Sequence, residues 1–433
     1  MHTAPRLVVT PETTLVDERV RLLATGLSAG ARVLVRSSMA FGRSSLGAGA
    51  TFIADGSGRV DLDAMAPIGG TYRGVDGMGL FWSMRIDRSN AATRDTARAS
   101  SAWAPPAPFV VQFELVVDST VVAQANATRR FSGTGVEMQP VSDPGVKAHL
   151  YLAAGAARLP LVVVLGGSEG GYDDVRASLL ASRGFATMAL AYFGVPDTPA
   201  ELFEVPVEVV ERAVAWAERH PRIDAARIGV MGHSKGAELA LVAAARMPRL
   251  RAVVASAPTD AVGQGIDRNG RSRPTSSWTW RGQPLPFVRQ VPPPAFEAQF
   301  REHGPPYRLR ILHEASRRDS ASLRAAQIAV ESVTGPILLV SGEDDQLAPS
   351  AEQAEAIVAR LAAHGLRHRV EHLRYAQAGH QILPPYLPTP PRNDGQFWLM
   401  GGTPEGYLRA DVSSWTRTLA FLRASLGAAD ASR

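Results

Sequence analysis

The chain has 433 residues, of which 45% are hydrophobic and 20% are charged. This composition is ordinary for a globular protein of two or three domains and excludes a disordered, collagen-like or coiled-coil chain. No cysteine is present, which excludes disulfides, thiolate metal ligands and a cysteine nucleophile, and the net charge of +5 is spread along the chain, which gives no support to a nucleic-acid partner.

The amino-terminal residues show no pattern of export or membrane insertion. Residues 1–14 lack the basic stretch followed by an apolar stretch that a secretory signal requires. No run in the chain approaches the roughly 18 apolar residues of a membrane span. We therefore expect a cytoplasmic protein with no membrane span, and the sequence leaves its oligomeric state open.

The first third of the chain is typical of an all-β domain. Short apolar runs are separated by clusters of turn residues, and residues 117–120 predict a hairpin between two β-rich runs. The apolar runs lie at 6–9, 19–23, 31–35 and 109–117. We expect an immunoglobulin-like β-sandwich domain over residues 1–135, with a Gly-, Pro- and Ser-containing boundary at 132–145.

From residue 136 onward the pattern changes to that of an α/β domain. Short buried runs alternate with helical periodicity, as in a parallel sheet covered by helices on both faces. Strands are predicted at 161–165, 187–192, 227–231, 252–256, 337–340 and 368–373, and helices at 204–220, 351–364 and 412–426. Within this catalytic domain of residues 136–433, the Pro-, Arg- and Trp-rich segment 259–319 is interpreted as an insertion or lid without regular structure.

The strongest local signal is the G-x-S-x-G motif at residues 232–236. It follows the predicted strand 227–231 and opens the apolar helical run 237–245. In that context a sharp strand-to-helix turn exposes the serine hydroxyl above the sheet, so Ser234 is the predicted nucleophile. The alternative is a glycine-rich turn whose serine only caps the helix.

A serine hydroxyl needs a base and an orienting carboxylate, which in this fold class follow the serine in the order Asp or Glu, then His. Asp345 follows the strand 337–340 and is the predicted acid, with Asp344 as the alternative, and His380 is the predicted base. His233 adjoins the serine, but its side chain should point away from it. The remaining histidines are interpreted as surface or packing residues: His2, His149, His220, His303, His313, His364, His368 and His372.

Two backbone segments are predicted to form an oxyanion hole. One donor should be the N–H of Lys235 at the start of the helix after the serine, where the helix dipole is positive. The other should come from the glycine-rich loop 165–171, at Gly167 or Ser168. A phosphate-binding loop is the weaker interpretation, because no G-K-[ST] sequence follows. No metal site is predicted.

Several motifs in order resemble the acyl-CoA thioesterase and bile acid-CoA:amino acid N-acyltransferase family, in a bacterial-type member. These are the stretch GVDGMGLFWSM at 74–84, residues 176–192, 232–241 and 277–286, the pair Asp344 and Asp345, and residues 379–386. The resemblance implies an α/β-hydrolase fold with an amino-terminal β-sandwich. It also places the family's catalytic triad on Ser234, Asp345 and His380.

The resemblance implies a serine hydrolase that cleaves acyl-CoA thioesters through an acyl-serine intermediate. Family members that conjugate amino acids use a cysteine, so Ser234 favours hydrolysis. The alternatives are an acyltransferase with an amine or alcohol acceptor, and an esterase or peptidase with another leaving group. No cofactor is expected beyond coenzyme A as part of the substrate, for which Trp278 and Arg281 of the insertion are candidate contacts through adenine stacking and phosphate pairing.

Overall fold

The structure, a computed structural model, describes residues 4–41, 44–87, 106–155, 158–394 and 396–427. The described residues up to Phe131, together with residues 383–394, form one compact unit, and the other unit consists of residues 132–382 and 396–427. The sequence interpretation had assigned 383–394 to the catalytic domain. In the structure Thr389 donates its backbone N–H to the carbonyl oxygen of Trp82 at 2.9 Å, a contact that joins this segment to the first unit.

The first unit is built from β-strands, as the sequence predicted. Its elements are β1 (Arg6–Thr10), β2 (Thr13–Leu15), β3 (Arg21–Thr25), β4 (Arg32–Phe41), β5 (Ser44–Ile53), β6 (Val60–Asp61), β7 (Gly69–Gly70), the short helix α1 (Gly79–Trp82), β8 (Arg85–Ile86), β9 (Phe109–Val117) and β10 (Thr120–Arg130). One sheet has the order β1-β3-β6 and the other β2-β10-β9-β4-β5-β7, with β8 also paired to β5. In β1 the buried residues Leu7 and Val9 alternate with exposed ones, as expected for a sheet with one face in the core.

The predicted hairpin at 117–120 is confirmed. Strands β9 and β10 pair antiparallel from Val117 and Thr120 outward. The connecting residues Asp118 and Ser119 have φ values of 46° and 66°. Positive φ at both central residues is the geometry of the two-residue turn that matches the twist of paired strands.

The second unit has the α/β-hydrolase fold. Its elements are β11 (Val136–Asp143), β12 (Val146–Ala153), β13 (Leu159–Leu165), α2 (Asp174–Ala181), β14 (Ala186–Ala191), β15 (Val205–Pro206), α3 (Glu208–Glu218), β16 (Ile223–His233), α4 (Lys235–Ala244), β17 (Leu250–Ser256), β18 (Gln264–Ile266), β19 (Ser272–Ser276), β20 (Trp278–Trp280), β21 (Gln283–Pro284), α5 (Pro294–Glu302), α6 (Arg310–Ser316), α7 (Ser320–Ala326), β22 (Ile337–Gly342), α8 (Ser350–Ala363), β23 (Val370–Tyr375) and α9 (Pro404–Leu426). The main sheet has the order β11-β12-β14-β13-β16-β17-β22-β23.

The sheet is parallel from β14 to β23, and only β11 and β12 run antiparallel to their neighbours. The carboxyl ends of the parallel strands therefore meet at one edge, where the connecting loops can bring side chains together. The six predicted strands correspond to β13, β14, β16, β17, β22 and β23. Among the described helices, none is long and apolar enough to cross a membrane.

The segment 259–319, here called the insertion, contains regular structure, so the interpretation of an irregular segment was wrong. It holds the antiparallel pair β18 and β19, strands β20 and β21, and helices α5 and α6. Its strand β20 pairs in parallel with β15, more than seventy residues earlier, at Val205 and Trp278. Such short strands depend on partners distant in the chain, which local periodicity does not reveal.

Candidate active site

Ser234 lies at the turn between β16 and α4 in a strained backbone conformation. Its φ and ψ are 53° and −118°, a combination that residues other than glycine rarely adopt. The backbone N–H of Ser234 donates to the carbonyl oxygen of Ser256 on the neighbouring strand β17 at 2.8 Å. Strain of this kind, held by surrounding structure, is characteristic of functional sites.

The two glycines of the motif are required by close contacts of the backbone. A Cβ atom on Gly232 would lie 2.1 Å from the carbonyl oxygen of Gly236, so nothing larger than hydrogen fits inside the turn. A Cβ atom on Gly236 would lie 2.2 Å from the carbonyl oxygen of Gly166 and 2.5 Å from that of Leu165. Gly236 therefore allows helix α4 to approach the loop after β13, which brings that loop close to Ser234.

The side chains of Ser234, His380 and Asp345 form one hydrogen-bonded chain. The distance from His380 Nε2 to Ser234 Oγ is 2.9 Å, and that from His380 Nδ1 to Asp345 Oδ2 is 2.8 Å. A carboxylate only accepts hydrogen bonds, so Nδ1 carries the proton and Nε2 is free to accept the serine hydroxyl. The structure thus brings together the three residues that the sequence singled out, from the loops that follow β16, β22 and β23.

Asp345 is fully buried, and its carboxylate is fixed on both oxygens. Oδ1 accepts the backbone N–H groups of Leu347 and Ala348, both at 2.9 Å. Oδ2 accepts the hydroxyl of Ser350 at 2.5 Å in addition to His380. These donors fix the orientation of the carboxylate toward the imidazole.

The neighbouring carboxylate of Asp344 makes different contacts. Its Oδ1 accepts the side-chain amide of Gln346 at 2.6 Å, and its Oδ2 accepts the backbone N–H of Gly402 at 2.9 Å. Asp344 therefore holds the loop after β22 against the segment before α9, while Asp345 faces the histidine.

His233 packs beside the histidine of this chain of hydrogen bonds. Its ring meets that of His380 edge to face, with 5.2 Å between the ring centres. Burial, together with the nearby charges of Arg176 and His380, holds the pKa of His233 well below its usual value. In the described part of the chain its Nδ1 has no hydrogen-bond partner. His233 is therefore a neutral ring that supports His380 by contact.

The two segments predicted to supply oxyanion donors both contribute residues to the site. They differ in whether the predicted N–H groups are already hydrogen-bonded within the protein. Lys235 is the first residue of α4, a position where a backbone N–H has no acceptor within the helix. Ser168 and Lys235 line a cavity together with Ser234 and His380. The N–H of Gly167, in contrast, donates to Oε1 of Glu169 at 2.8 Å, and of the two candidates in the loop only Ser168 lines the cavity.

Glu169, within this loop, and Tyr192, directly after β14, fix the backbone of the loop, and sequence analysis assigns neither of them a role. Besides accepting the Gly167 N–H, Glu169 lies so close that a Cβ on Gly167 would be 2.6 Å from its Oε2. The hydroxyl of Tyr192 donates to the carbonyl oxygens of Gly166 and Gly167 at 2.7 and 2.9 Å. Burial raises the pKa of Tyr192 well above its usual value, so it remains a donor.

We expect Glu169→Ala to lower kcat for the reaction proposed below by about ten- to a hundredfold, with little change in KM. Removal of an oxyanion donor lowers kcat by about a hundred- to a thousandfold, and this variant would only displace such a donor. Glu169→Gln keeps an oxygen acceptor for the Gly167 N–H and should retain most of the activity. Steady-state kinetics of both variants test this. Equal losses in the two variants would contradict a positioning role for the acceptor oxygen.

The two candidate substrate contacts of the insertion are not on the cavity beside Ser234. Trp278 is fully buried, and its Nε1 donates to Oε1 of Glu238 at 2.7 Å. The guanidinium of Arg281 lies 5.8 Å from the ring centre of Trp280, and its backbone N–H donates to Glu208. Trp278 thus packs in the core under helix α4, where no adenine can stack on it, and Arg281 lies outside the cavity.

The cavity beside Ser234 and His380 is walled largely by the insertion and has a volume of about 130 Å³. Its charged and imidazole-bearing walls include Lys235, Glu238, His313 and Arg317. The interpretation of His313 as a surface or packing residue is therefore corrected: it faces the cavity from α6. A larger open groove of about 930 Å³ lies along β23 and α9 and is lined by residues 374–377 and 406–420, apart from the serine.

The pKa of His313 predicts how stability depends on pH. Burial, assisted by the charge of Lys235, lowers this pKa to about 4, against about 6.5 in the unfolded chain. Between these two values the unfolded state binds more protons, so the free energy of unfolding should fall as the pH is lowered from 6.5 to 4, by at most about 3 kcal/mol for this residue.

Urea denaturation of the wild type and of His313→Gln at pH 7 and pH 5 isolates that contribution. The variant should lose less stability than the wild type between the two pH values. An equal loss in both proteins would mean that His313 titrates normally in the folded chain.

Comparison with known proteins gives consistent matches along nearly the whole chain. Residues 205–428 match the family model described as BAAT / acyl-CoA thioester hydrolase C terminal, and residues 17–143 match that for the acyl-CoA thioester hydrolase/BAAT N-terminal region.

Peroxisomal succinyl-coenzyme A thioesterase of Mus musculus is 29% identical, over 95% of this chain and 94% of its own length. Acyl-coenzyme A thioesterase 6 of the same species is 31% identical, over 94% and 93%. Acyl-coenzyme A amino acid N-acyltransferase 1, also of Mus musculus, is 31% identical, over 97% and 98%.

Proposed function

The chain belongs to the acyl-CoA thioester hydrolase/BAAT family and is an enzyme of this type, and on that premise we propose that it hydrolyses thioesters of coenzyme A through an acyl-serine intermediate. The observation that carries the proposal is the hydrogen-bonded chain from Ser234 through His380 to Asp345. This arrangement contains a nucleophile, a base and an orienting carboxylate in the geometry of acyl transfer.

Acylation starts when Nε2 of His380 takes the proton of the Ser234 hydroxyl. Oγ then attacks the thioester carbonyl carbon, and the backbone N–H groups of Lys235 and Ser168 hold the negative oxygen of the tetrahedral intermediate. Collapse of this intermediate breaks the C–S bond. The departing sulfur of coenzyme A receives the proton from His380, which leaves an acyl ester on Ser234.

Deacylation repeats these steps with water. His380 takes a proton from a water molecule, the resulting hydroxide attacks the ester carbonyl, and the C–Oγ bond breaks as the proton returns to Ser234. Asp345 remains ionised throughout and stabilises the imidazolium that forms in each half of the reaction. The N–H groups of Leu347 and Ala348 hold the carboxylate in place during both halves.

A second candidate is transfer of the acyl group to an amine. It is supported by the similarity to a relative named as an amino acid N-acyltransferase, whose identity of 31% equals that of acyl-coenzyme A thioesterase 6. In that reaction an amine replaces water in the second half, and the product is an amide. The first half and the residues that perform it are unchanged.

Product analysis separates the two reactions and tests the proposal. Acyl-CoA substrates of several chain lengths are incubated with the protein, with and without glycine or taurine, and both products are measured by mass spectrometry. We expect free acid and free coenzyme A in equal amounts, whether or not the amine is present. Amide that grows with the amine concentration would identify a transferase, and a preference for oxygen esters over thioesters would contradict both.

The predicted cytoplasmic location remains a prediction. Among the relatives, one is named as peroxisomal and another as mitochondrial, so family membership is compatible with more than one compartment. Fluorescence microscopy of the tagged protein in its own host tests the location directly.

A further inference from the structure

The cavity beside Ser234 has features that bear on which acyl group the enzyme accepts. Its walls include Ser168, Ser234 and Lys235, so it adjoins the position where the substrate carbonyl would lie. All its lining residues belong to the second unit. The inference drawn from it rests on the proposed function, because it treats this space as the binding site of the acyl group.

The size of the cavity bears on the length of the acyl group that it can hold. An apolar cavity of about 150 Å³ holds one benzene ring, that is, six carbon atoms. The cavity beside Ser234 has about 130 Å³. It therefore accommodates about six non-hydrogen atoms, which is far fewer than a long fatty acyl chain contains.

The charges at the walls of the cavity are paired within the protein. Arg317 donates from both terminal nitrogens to Asp260, at 2.7 and 3.0 Å. Lys235 Nζ donates to Oε2 of Glu238 at 2.9 Å, and the other carboxylate oxygen of Glu238 accepts the N–H of Gly263 and that of the Trp278 ring. Each cation thus has its own buried anion, and His313 is neutral above about pH 4. A carboxylate entering this space would find both of these cations already paired, which disfavours it relative to an uncharged group.

Hydrogen-bond donors nevertheless remain at the walls. An ammonium group has three N–H bonds, and Lys235 uses two of them, on Glu238 and on Ser277 Oγ at 2.7 Å. The backbone of His313 is hydrogen-bonded to Leu309 and Arg317, but its ring makes no hydrogen bond to another described residue, so the N–H of the neutral ring is available to a ligand. An alkyl chain filling the cavity would leave both donors without an acceptor, which disfavours it relative to a chain that supplies one.

We propose that the cavity selects short acyl groups, of about six non-hydrogen atoms or fewer, that carry an uncharged hydrogen-bond acceptor such as a hydroxyl or keto oxygen. His313 and Lys235 contact that oxygen. His313 is the specificity-determining residue of the pair, because the ammonium group of Lys235 is also needed to pair with the buried carboxylate of Glu238.

Matched thioesters test the proposal. The values of kcat/KM are measured for butyryl-CoA, 3-hydroxybutyryl-CoA, succinyl-CoA and palmitoyl-CoA, which differ in polarity, charge or length. We expect 3-hydroxybutyryl-CoA to be hydrolysed at least tenfold better than each of the others. A value for butyryl-CoA equal to or above that of the hydroxy compound, or a value highest for palmitoyl-CoA or succinyl-CoA, would overturn the proposal.

Variants of one residue connect the preference to the cavity wall. His313→Leu removes the donor and should bring the ratio of hydroxybutyryl to butyryl turnover close to one, whereas His313→Gln keeps an N–H donor and should preserve the preference. His303→Leu is the matched control, because His303 is an exposed histidine of the same insertion, with 73% of its side chain accessible, and should leave the ratio unchanged. A ratio unaffected by His313→Leu would overturn the role of this residue.

A fluorophosphonate probe separates failure of this inference from failure of the proposed function. Labelling of Ser234 and hydrolysis of thioesters in a different order of preference would overturn only the acyl-group inference. Absence of both labelling and hydrolysis of all four thioesters would overturn the proposed function, and the inference with it.

Discussion

Replacement of Ser234 by alanine is expected to lower kcat for thioester hydrolysis by about 10⁴- to 10⁶-fold, while substrate binding persists. The variant keeps the proposed backbone donors of Lys235 and Ser168, so the residual rate is expected to reflect binding and oxyanion stabilisation without a nucleophile. Released coenzyme A is measured with a thiol reagent. The assay has no protein background, because the chain contains no cysteine.

Ser256→Ala is the matched control for that change. Ser256 ends the neighbouring strand β17, and within the described part of the chain its buried hydroxyl has no hydrogen-bond partner. Its removal should change kcat by less than about threefold, since no favourable hydrogen bond is lost. Only the Ser234 variant should lose labelling by the fluorophosphonate probe. A loss of less than tenfold in Ser234→Ala would mean that the nucleophile is another residue or that water attacks directly.

The losses of activity caused by replacing Ser234 and His380 should not be additive. His380→Ala should lower kcat by a similar factor, and the double variant should be little worse than either single one, because neither residue functions without the other. The 2.9 Å contact between Oγ and Nε2 is the structural basis of this expectation. Multiplicative losses would instead indicate independent roles.

The parts of the fold that could be predicted are those in which a local pattern follows directly from burial. Strand β13 was predicted at 161–165 and lies at Leu159–Leu165, because a strand covered on both faces is apolar at every position. The sequence does not predict strand β11 and indicates a domain boundary over this segment instead. It is an edge strand in which only Val141 is buried, and it contains Pro140, so it has neither an apolar run nor a regular alternation.

The candidate site could be predicted where local steric requirements determine the residue type. Glycine is required at 232 and 236 because the backbone approaches closely at the turn. The polar loops that carry Asp345 and His380 directly follow the buried strands β22 and β23. Glu169 and His313 had no such signal. Their significance depends on a hydrogen bond to Gly167 in one case and on the wall of a cavity in the other, and both arise only when distant segments pack.

Trp278 shows why composition alone misassigned the insertion. A tryptophan in an arginine-rich segment suggested a stacking surface for a nucleotide. In the structure the same ring is buried, and its N–H satisfies Glu238, a carboxylate that would otherwise be buried with only Lys235 and Gly263 as donors. A tryptophan ring can stack on a ligand or pack in the core with its N–H hydrogen-bonded, and only the residues that contact it in the folded chain determine which of these it does.

The two adjacent aspartates provide the most selective test of the site. Asp345→Asn should lower kcat by about 10⁴-fold. The asparagine oxygen can still accept the N–H groups of Leu347 and Ala348, which directs the amide nitrogen toward His380. This donor faces the N–H at Nδ1, so the imidazole changes to the tautomer protonated at Nε2 and no longer accepts the proton of Ser234.

Asp344→Asn is the matched change one residue earlier, and we expect it to alter kcat by less than tenfold, because Asp344 contacts Gln346 and Gly402 rather than the histidine. Both variants should remain folded, since they keep the size of the side chain and most of its acceptor contacts, and the melting temperature of each checks this. If Asp344→Asn were the inactive variant and Asp345→Asn the active one, the histidine would be oriented by the other carboxylate during catalysis, and the arrangement of the loop after β22 would have to differ from that in the structure.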